Sequence, residues 1–229
     1  SNREKTCQIF FGKSEISLPI LDADFLSLKI SNLHKIDPTL FTITITSEEK
    51  ASELLTKEIK EFLQGISSGE EAIINSENSY NIRFISLFLD NTELYQFITK
   101  NFPINQNDDQ IIQYLIDLYQ YGCDPSSIDE YDDCINYISS NFYKIEEEKI
   151  LKLPKNIILS ILSNKNLTVQ NEDTLYDFIQ KVISKSSKNK EKIDRSSFYE
   201  KIEISELSIF KIRSFYEDIN INDINGQIW

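Results

Sequence analysis

Phe41-Thr42-Ile43-Thr44-Ile45-Thr46 is a strict period-two run, which puts Phe41, Ile43 and Ile45 on one face of a strand. From Ser47 onward the apolar residues recur three and four apart instead, the spacing of amphipathic helices. A chain that changes period in this way needs a small sheet backed by helices, followed by helices that pack on one another.

The residues before that run fill in the first part. Cys7-Gln8-Ile9-Phe10-Phe11 favours a strand, Gly12-Lys13-Ser14 a turn, and Glu15-Ile16-Ser17-Leu18 alternates polar with apolar; together they predict a hairpin. Asp24 to Leu33 suits one helix, with Phe25, Leu26, Leu28, Ile30 and Leu33 mostly on one side, ended by Asp37-Pro38. Ser47 is the expected N-cap of the next helix, with Glu48 and Glu49 in its first turn. That helix carries Leu54, Leu55, Ile59, Phe62 and Leu63 and stops at Gly65. Glu71 to Ile74 reads as a short strand. Helices follow over Asn78–Leu89 and Glu93–Lys100, and Pro103 marks a junction.

Beyond the junction every apolar stripe is helical. One runs through Ile111, Ile112, Leu115, Leu118 and Tyr119, the next through Tyr131, Cys134, Ile135, Ile138 and Phe142. Pro154 suits a first helical position ahead of Ile157, Ile158, Ile161 and Leu162. Asn171-Glu172-Asp173 looks like a capped start for Leu175, Phe178, Ile179, Val182 and Ile183. Ser184 to Arg195 reads as a polar connection, and Ser205 as the cap of a last helix with Leu207, Phe210 and Phe215. The expected fold is α+β over residues 5–103, then an all-α domain of antiparallel helix pairs over 106–229.

The charge is unevenly spread along the chain. Residues 1–145 hold 11 Lys or Arg against 23 Asp or Glu, a net of −12, while the rest of the chain is nearly balanced. So acidic a half repels phosphate backbones, and nucleic acid is not an expected partner. No apolar run nears the length of a membrane span, so no membrane partner is expected either. Three cysteines, Cys7, Cys123 and Cys134, make no disulfide framework; reduced thiols point to the cytoplasm, or to the nucleus. Asn166-Leu167-Thr168 fits a glycosylation acceptor, a pattern short enough to arise by chance. The chain has no methionine, which reads as processing or cutting, and the ending Asn225-Gly226-Gln227-Ile228-Trp229 suggests that a longer protein continues.

Few residues point to chemistry. His34 is the only histidine; beside a Pro-containing loop it reads as an exposed polar residue rather than part of a catalytic triad. Cys123 and Cys134 lack the close Cys/His pairs of a zinc site. Asp124, Asp129, Glu130, Asp132 and Asp133 lack the order of a calcium loop, and Glu146-Glu147-Glu148 has no ligand spacing. Five scattered glycines form no phosphate cradle. No cofactor or metal is expected. Lys181, Lys185, Lys188, Lys190 and Lys192 read as a solvated run, with an anionic partner or ubiquitin attachment as the sharper reading. Tyr114, Tyr119, Tyr121, Tyr131 and Tyr137 read as core, with an exposed interface patch as the alternative.

The order of elements resembles two known domains in succession. Ile9-Phe10-Phe11-Gly12-Lys13-Ser14-Glu15-Ile16-Ser17-Leu18 sits where BTB (POZ) domains carry their opening hairpin. Ser31-Asn32-Leu33 through Asp37-Pro38-Thr39 is similar to the divergent BTB variety common in protists, and Ile73-Ile74-Asn75, then Asn78 to Leu89-Asp90-Asn91, resembles the end of that domain. Cys134-Ile135-Asn136-Tyr137-Ile138-Ser139-Ser140-Asn141-Phe142, Leu153-Pro154, Ile161-Leu162, Leu167-Thr168-Val169 and Glu172-Asp173-Thr174-Leu175 are similar to a BACK domain, as is the closing Ile224 to Trp229.

That resemblance implies a protein-interaction adaptor or scaffold, not an enzyme, often serving a cullin-type ubiquitin ligase and often a homodimer. It places partner contacts at Leu33, His34, Ile36 and Asp37, within a region from Phe25 to Pro38, and a dimer interface at Phe10, Phe11, Phe25 and Leu26. The cullin-binding pattern of a hydrophobic residue, any residue, then Glu is missing from Leu33-His34-Lys35-Ile36-Asp37-Pro38, where Ile36 alone offers an apolar contact. The alternative is a self-associating scaffold without a ubiquitin role. A remote one is an enzyme on an unrecognised α+β fold, with a pocket at His34 or the acidic cluster.

Overall fold

The computed structural model describes residues 5–46, 49–70, 72–105, 107–125, 128–188 and 194–218. The chain divides into two compact units: residues up to Asn105 with Gln120–Cys123, and Gln106–Tyr119 with the residues from Asp124 on.

The first unit opens with the hairpin β1 (Thr6–Phe11) and β2 (Ser14–Pro19), paired antiparallel from Thr6↔Pro19 to Phe11↔Ser14. Gly12 takes the left-handed conformation (φ 57°) that so short a turn requires. Strand β3 (Thr42–Thr46) runs parallel on the other side of β1, giving the order β2-β1-β3. The alternation does what its period demands: Cys7, Ile9, Phe11, Ile16, Leu18, Ile43 and Ile45 are buried, each large one contributing roughly 1.5–3 kcal/mol. The register shifts at Phe10/Phe11, where the Gly12 N–H donates to the Thr46 carbonyl at 2.7 Å. Beside the shift, Lys29 Nζ donates to the Ile45 carbonyl at 3.2 Å.

The single helix expected over Asp24–Leu33 is two: α1 (Ile20–Leu26) and α2 (Leu28–Ile36). The break is at Ser27, whose buried hydroxyl accepts from the Ile30 N–H and donates to the Leu89 carbonyl, 62 residues away. Splitting the helix also splits its stripe. Leu26 and Ile30 are core, while Phe25 and Leu28 face solvent.

The next helix is likewise two, α3 (Glu49–Leu54) and α4 (Lys57–Ser68), with Thr56 capping the second. The expected cap Ser47, with Glu48, lies outside the described residues. Gly65 does not end α4; it is buried within it, and Gly69 closes the helix in the left-handed conformation (φ 74°). The strand expected at Glu71–Ile74 does not form over 72–74 (Glu71 is outside the described residues). These residues take no regular secondary structure and join none of the described strands. Helices α5 (Ser79–Phe88) and α6 (Thr92–Asn101) complete this unit, and Tyr121 stacks edge-on against Phe84 and Phe88.

The second unit has helices and turns but no strand among its described residues. Helix α7 (Asp108–Gln120) leads into it, followed by α8 (Asp129–Ser140), α9 (Glu147–Ile150), α10 (Lys155–Leu162), α11 (Glu172–Lys188), α12 (Arg195–Tyr199) and α13 (Ile209–Asp218). Buried Ser139 on α8 donates to the Ile161 carbonyl of α10 at 3.1 Å, and its own carbonyl accepts the Thr168 N–H. Asn171 caps α11 as expected, but the helix runs on to Lys188, so the polar stretch from Ser184 begins inside it. Lys190 and Lys192, like Ile224 to Trp229, lie outside the described residues. The last helix starts later than expected: Ile204–Glu206 is a 3-10 turn, and Ser208, not Ser205, accepts from the Lys211 N–H. Phe215 packs edge-on against Tyr176 and Tyr199, whereas Phe210 is exposed.

Candidate protein-interaction site

The region from Phe25 to Pro38 contains both surface and core. His34 is only 7% exposed, which overturns its reading as an exposed polar residue. It lies four residues after the core residue Ile30, on the inner side of α2. Its Nδ1 meets the Asp24 carboxylate and its Nε2 lies 2.8 Å from the Leu40 carbonyl. Both ring nitrogens are thus engaged in tying α1, α2 and the approach to β3. Buried Cys7 sits in the same neighbourhood, its thiol pushed up by burial and by the charge of Asp24. Leu33 is half-buried, while Ile36 is 83% exposed. Asp37, exposed, accepts from the Thr39 hydroxyl (2.6 Å) and N–H (2.9 Å), and these bonds hold its carboxyl below the usual range.

Two of the four expected interface residues are interior. Phe11 and Leu26 belong to the core between sheet and helices; Phe10 is half-buried, and Phe25 is 76% exposed. Phe25 has company that the sequence reading missed: Leu21, four residues earlier on α1, and Leu28 at the start of α2 are also exposed.

A second apolar surface is concave. A cavity of about 560 Å³ opens between α4, the segment 72–74 and α6, lined among others by Phe62, Ile66, Ile73, Ile74, Leu94 and Phe97. Ile73 is 71% and Phe97 50% exposed, so two large apolar side chains stand at the mouth. The wall is built locally. Asn75 Oδ1 accepts from the Glu77 and Asn78 N–H groups, Asn78 Oδ1 accepts from the Asn75 N–H, and Asn78 Nδ2 donates to the Ile73 carbonyl at 3.0 Å. On the far side Arg83 Nη2 donates to the Phe102 carbonyl at 2.5 Å. Glu58, Glu61 and Glu93 on α4 and α6 are matched by Lys57, Lys60 and Lys100, and the acidic excess comes from Glu70 and Glu77 in the residues flanking 72–74. The groove suits the apolar face of a partner helix with basic flanks. Sequence reasoning missed it because Ile73 was assigned to a strand. Phe97 carried a signal, since it lies off the Tyr95–Ile98 stripe that faces the core.

The remaining candidates resolve into packing and surface. Tyr114 is buried, with its hydroxyl 3.3 Å from Glu130. Tyr137 donates to Asp108 at 3.1 Å, and Tyr119 is the exposed member of the tyrosine set. Cys134 is buried and Cys123 half-buried. Asp129, Asp132 and Asp133 are exposed at the start of α8, where the helix dipole favours acids. Among the described residues no three His, Cys, Asp or Glu side chains are grouped to hold a metal ion, and no helix is long and apolar enough to cross a membrane.

No curated protein matches the chain. A scan against family models does find one: residues 115–214, from α7 into α13, match the BACK domain, described as BTB And C-terminal Kelch. The match covers 100 of the 229 residues, and no BTB domain is detected in the residues before it.

Proposed function

We propose that this chain is a protein–protein interaction adaptor in which a BTB-like domain over residues 5–103 receives a partner and the BACK-like helices over 106–229 carry the rest of an assembly, with no catalytic step of its own. The observation behind this reading is the α4–α6 groove, with Ile73 and Phe97 exposed at its mouth. Apolar side chains of this size in a concave, acid-flanked surface favour a macromolecular partner over a small polar substrate. The partner class we propose is the N-terminal region of a cullin, met in the cytoplasm. The test is calorimetric titration of the chain with that region. Micromolar or tighter binding, lost in Ile73→Asp and Phe97→Asp but retained in Ile36→Asp, supports both partner and place. Loss only in Ile36→Asp moves the contact to the end of α2, and no binding at high concentration removes the cullin.

A second reading rests on a different surface. Leu21, Phe25 and Leu28 form an exposed apolar cluster at the junction of α1 and α2, which suits a self-associating scaffold. Sedimentation equilibrium decides it: a dimer that Phe25→Asp converts to monomer supports self-association, and a strict monomer at high concentration ends it.

A further inference from the structure

We infer that the outer edge of β3 is a second docking surface, which takes an extended, acidic segment of a partner protein as a fourth strand. Strand β3 ends the sheet order β2-β1-β3. The Gln8 N–H, opposite Thr42, donates to the Phe41 carbonyl at 2.8 Å. In a parallel ladder this pairing turns the N–H and C=O of Thr42, and two residues on those of Thr44, away from β1. These groups lie along the open edge, and among the described residues no further strand pairs with them. Both threonine side chains are exposed. The strand has no charged residue and no proline, the usual devices that blunt an edge.

Charge selects the occupant. In the first 145 residues, whose net charge is −12, this edge is flanked by cations. Lys29 reaches the Ile45 carbonyl at one end, and Lys5 lies over the Phe41 ring, 5.3 Å from its centroid, at the other. Lys35 stands two turns along α2 from Lys29, bonded to Asn32. Asp37 on the approach to β3 is engaged by Thr39, and Glu49, three residues past its end, by Lys13. An added strand would gain main-chain bonds at Thr42 and Thr44, and carboxylates at its ends would meet Lys5 and Lys29.

The test is amide hydrogen exchange and chemical-shift mapping on the whole chain. The probe is a short capped peptide of alternating Thr and Val with Glu at both ends, against the same peptide carrying Lys at both ends. The acidic peptide is expected to shift the Thr42 and Thr44 amides and slow their exchange about tenfold or more. The basic peptide does neither, and Lys29→Glu, checked for a native amide spectrum, weakens the acidic peptide about threefold or more. No protection at Thr42 and Thr44 with the acidic peptide at millimolar concentration overturns the inference. So does equal binding of both peptides, or a response confined to Ile73 and Phe97. Protection that appears without peptide and rises with protein concentration means that the edge pairs with a second copy, and overturns the acidic partner.

Discussion

His34 and Asp24 face each other across the join of α1 and α2, ring nitrogen to carboxylate, while the other ring nitrogen of His34 meets the carbonyl of Leu40. One side chain therefore holds three segments that the backbone leaves separate. His34→Ala strips the partly buried Leu40 carbonyl and Asp24 carboxylate of their partner, at a cost of about 1–3 kcal/mol. Urea unfolding measures it, and a loss under about 0.5 kcal/mol would show that the tie contributes little beyond what a surface substitution does.

Gly69 ends α4 in a conformation that L-residues enter at a cost, with nothing within 4 Å of where a Cβ would sit. Gly69→Ala should therefore destabilise through backbone strain alone, by about 1 kcal/mol. Gly65→Ala, inside the helix with only the Glu70 Cβ at 3.9 Å, should be neutral or mildly stabilising. Equal losses at both sites in thermal unfolding would contradict this.

Ser139 is the polar pin of the second unit. Its hydroxyl is buried and donates to the Ile161 carbonyl. Ser139→Ala should cost about 1–2 kcal/mol, and Phe215→Ala, which removes the ring between Tyr176 and Tyr199, about 3–5 kcal/mol. Guanidinium unfolding of the two variants should rank them in that order.

Acid should loosen the contacts around α11, α12 and α13. The Asp173 carboxyl is held below its ordinary 3.8 by the Ser208 N–H and hydroxyl, and Asp194 below the same value by the Ser197 and Ser196 hydroxyls. A depressed folded-state value gives stability that is present above the ordinary value and is lost as pH falls through the lowered one. Glu172 has the opposite sign: burial pushes it above its ordinary 4.5, so its contribution is fully present below that value and is lost as pH rises through the raised one. Urea midpoints should fall from about pH 4 downward. Asp173→Asn should flatten that fall, and Glu172→Gln should remove an opposing slope on its alkaline side. An unchanged profile in both variants would count against these assignments.

The hairpin was legible because alternation reports directly which face is buried: Ile9, Phe11, Ile16 and Leu18 are core, as their period requires. Boundaries set by tertiary contacts were not legible. Ser27 breaks a helix because its hydroxyl reaches Leu89, and nothing near Ser27 in sequence announces that. Gly65 and Gly69 are the same residue type in one local context, and only burial decides which of them the helix passes through. Ala72-Ile73-Ile74 has strand chemistry without a strand to pair with, so one of the groove's exposed residues was assigned to a sheet. The resemblance to BTB dimers places Phe11 and Leu26 at an interface, and both are core. An apolar side chain gives the same local signal whether its cover is its own core or another molecule.

The wall of the groove has a consequence for how such a surface changes over generations. The Asn75–Asn78 brace holds the backbone of residues 73–78 without using the side chains of Ala72, Ile73 and Ile74. In a paired strand, replacing any of those three would disturb a ladder partner. Here the most exposed of them, Ile73, can be exchanged without touching the brace, so on the proposed reading the mouth of the groove can change its chemistry in small mutational steps while the scaffold stays under its own, separate selection.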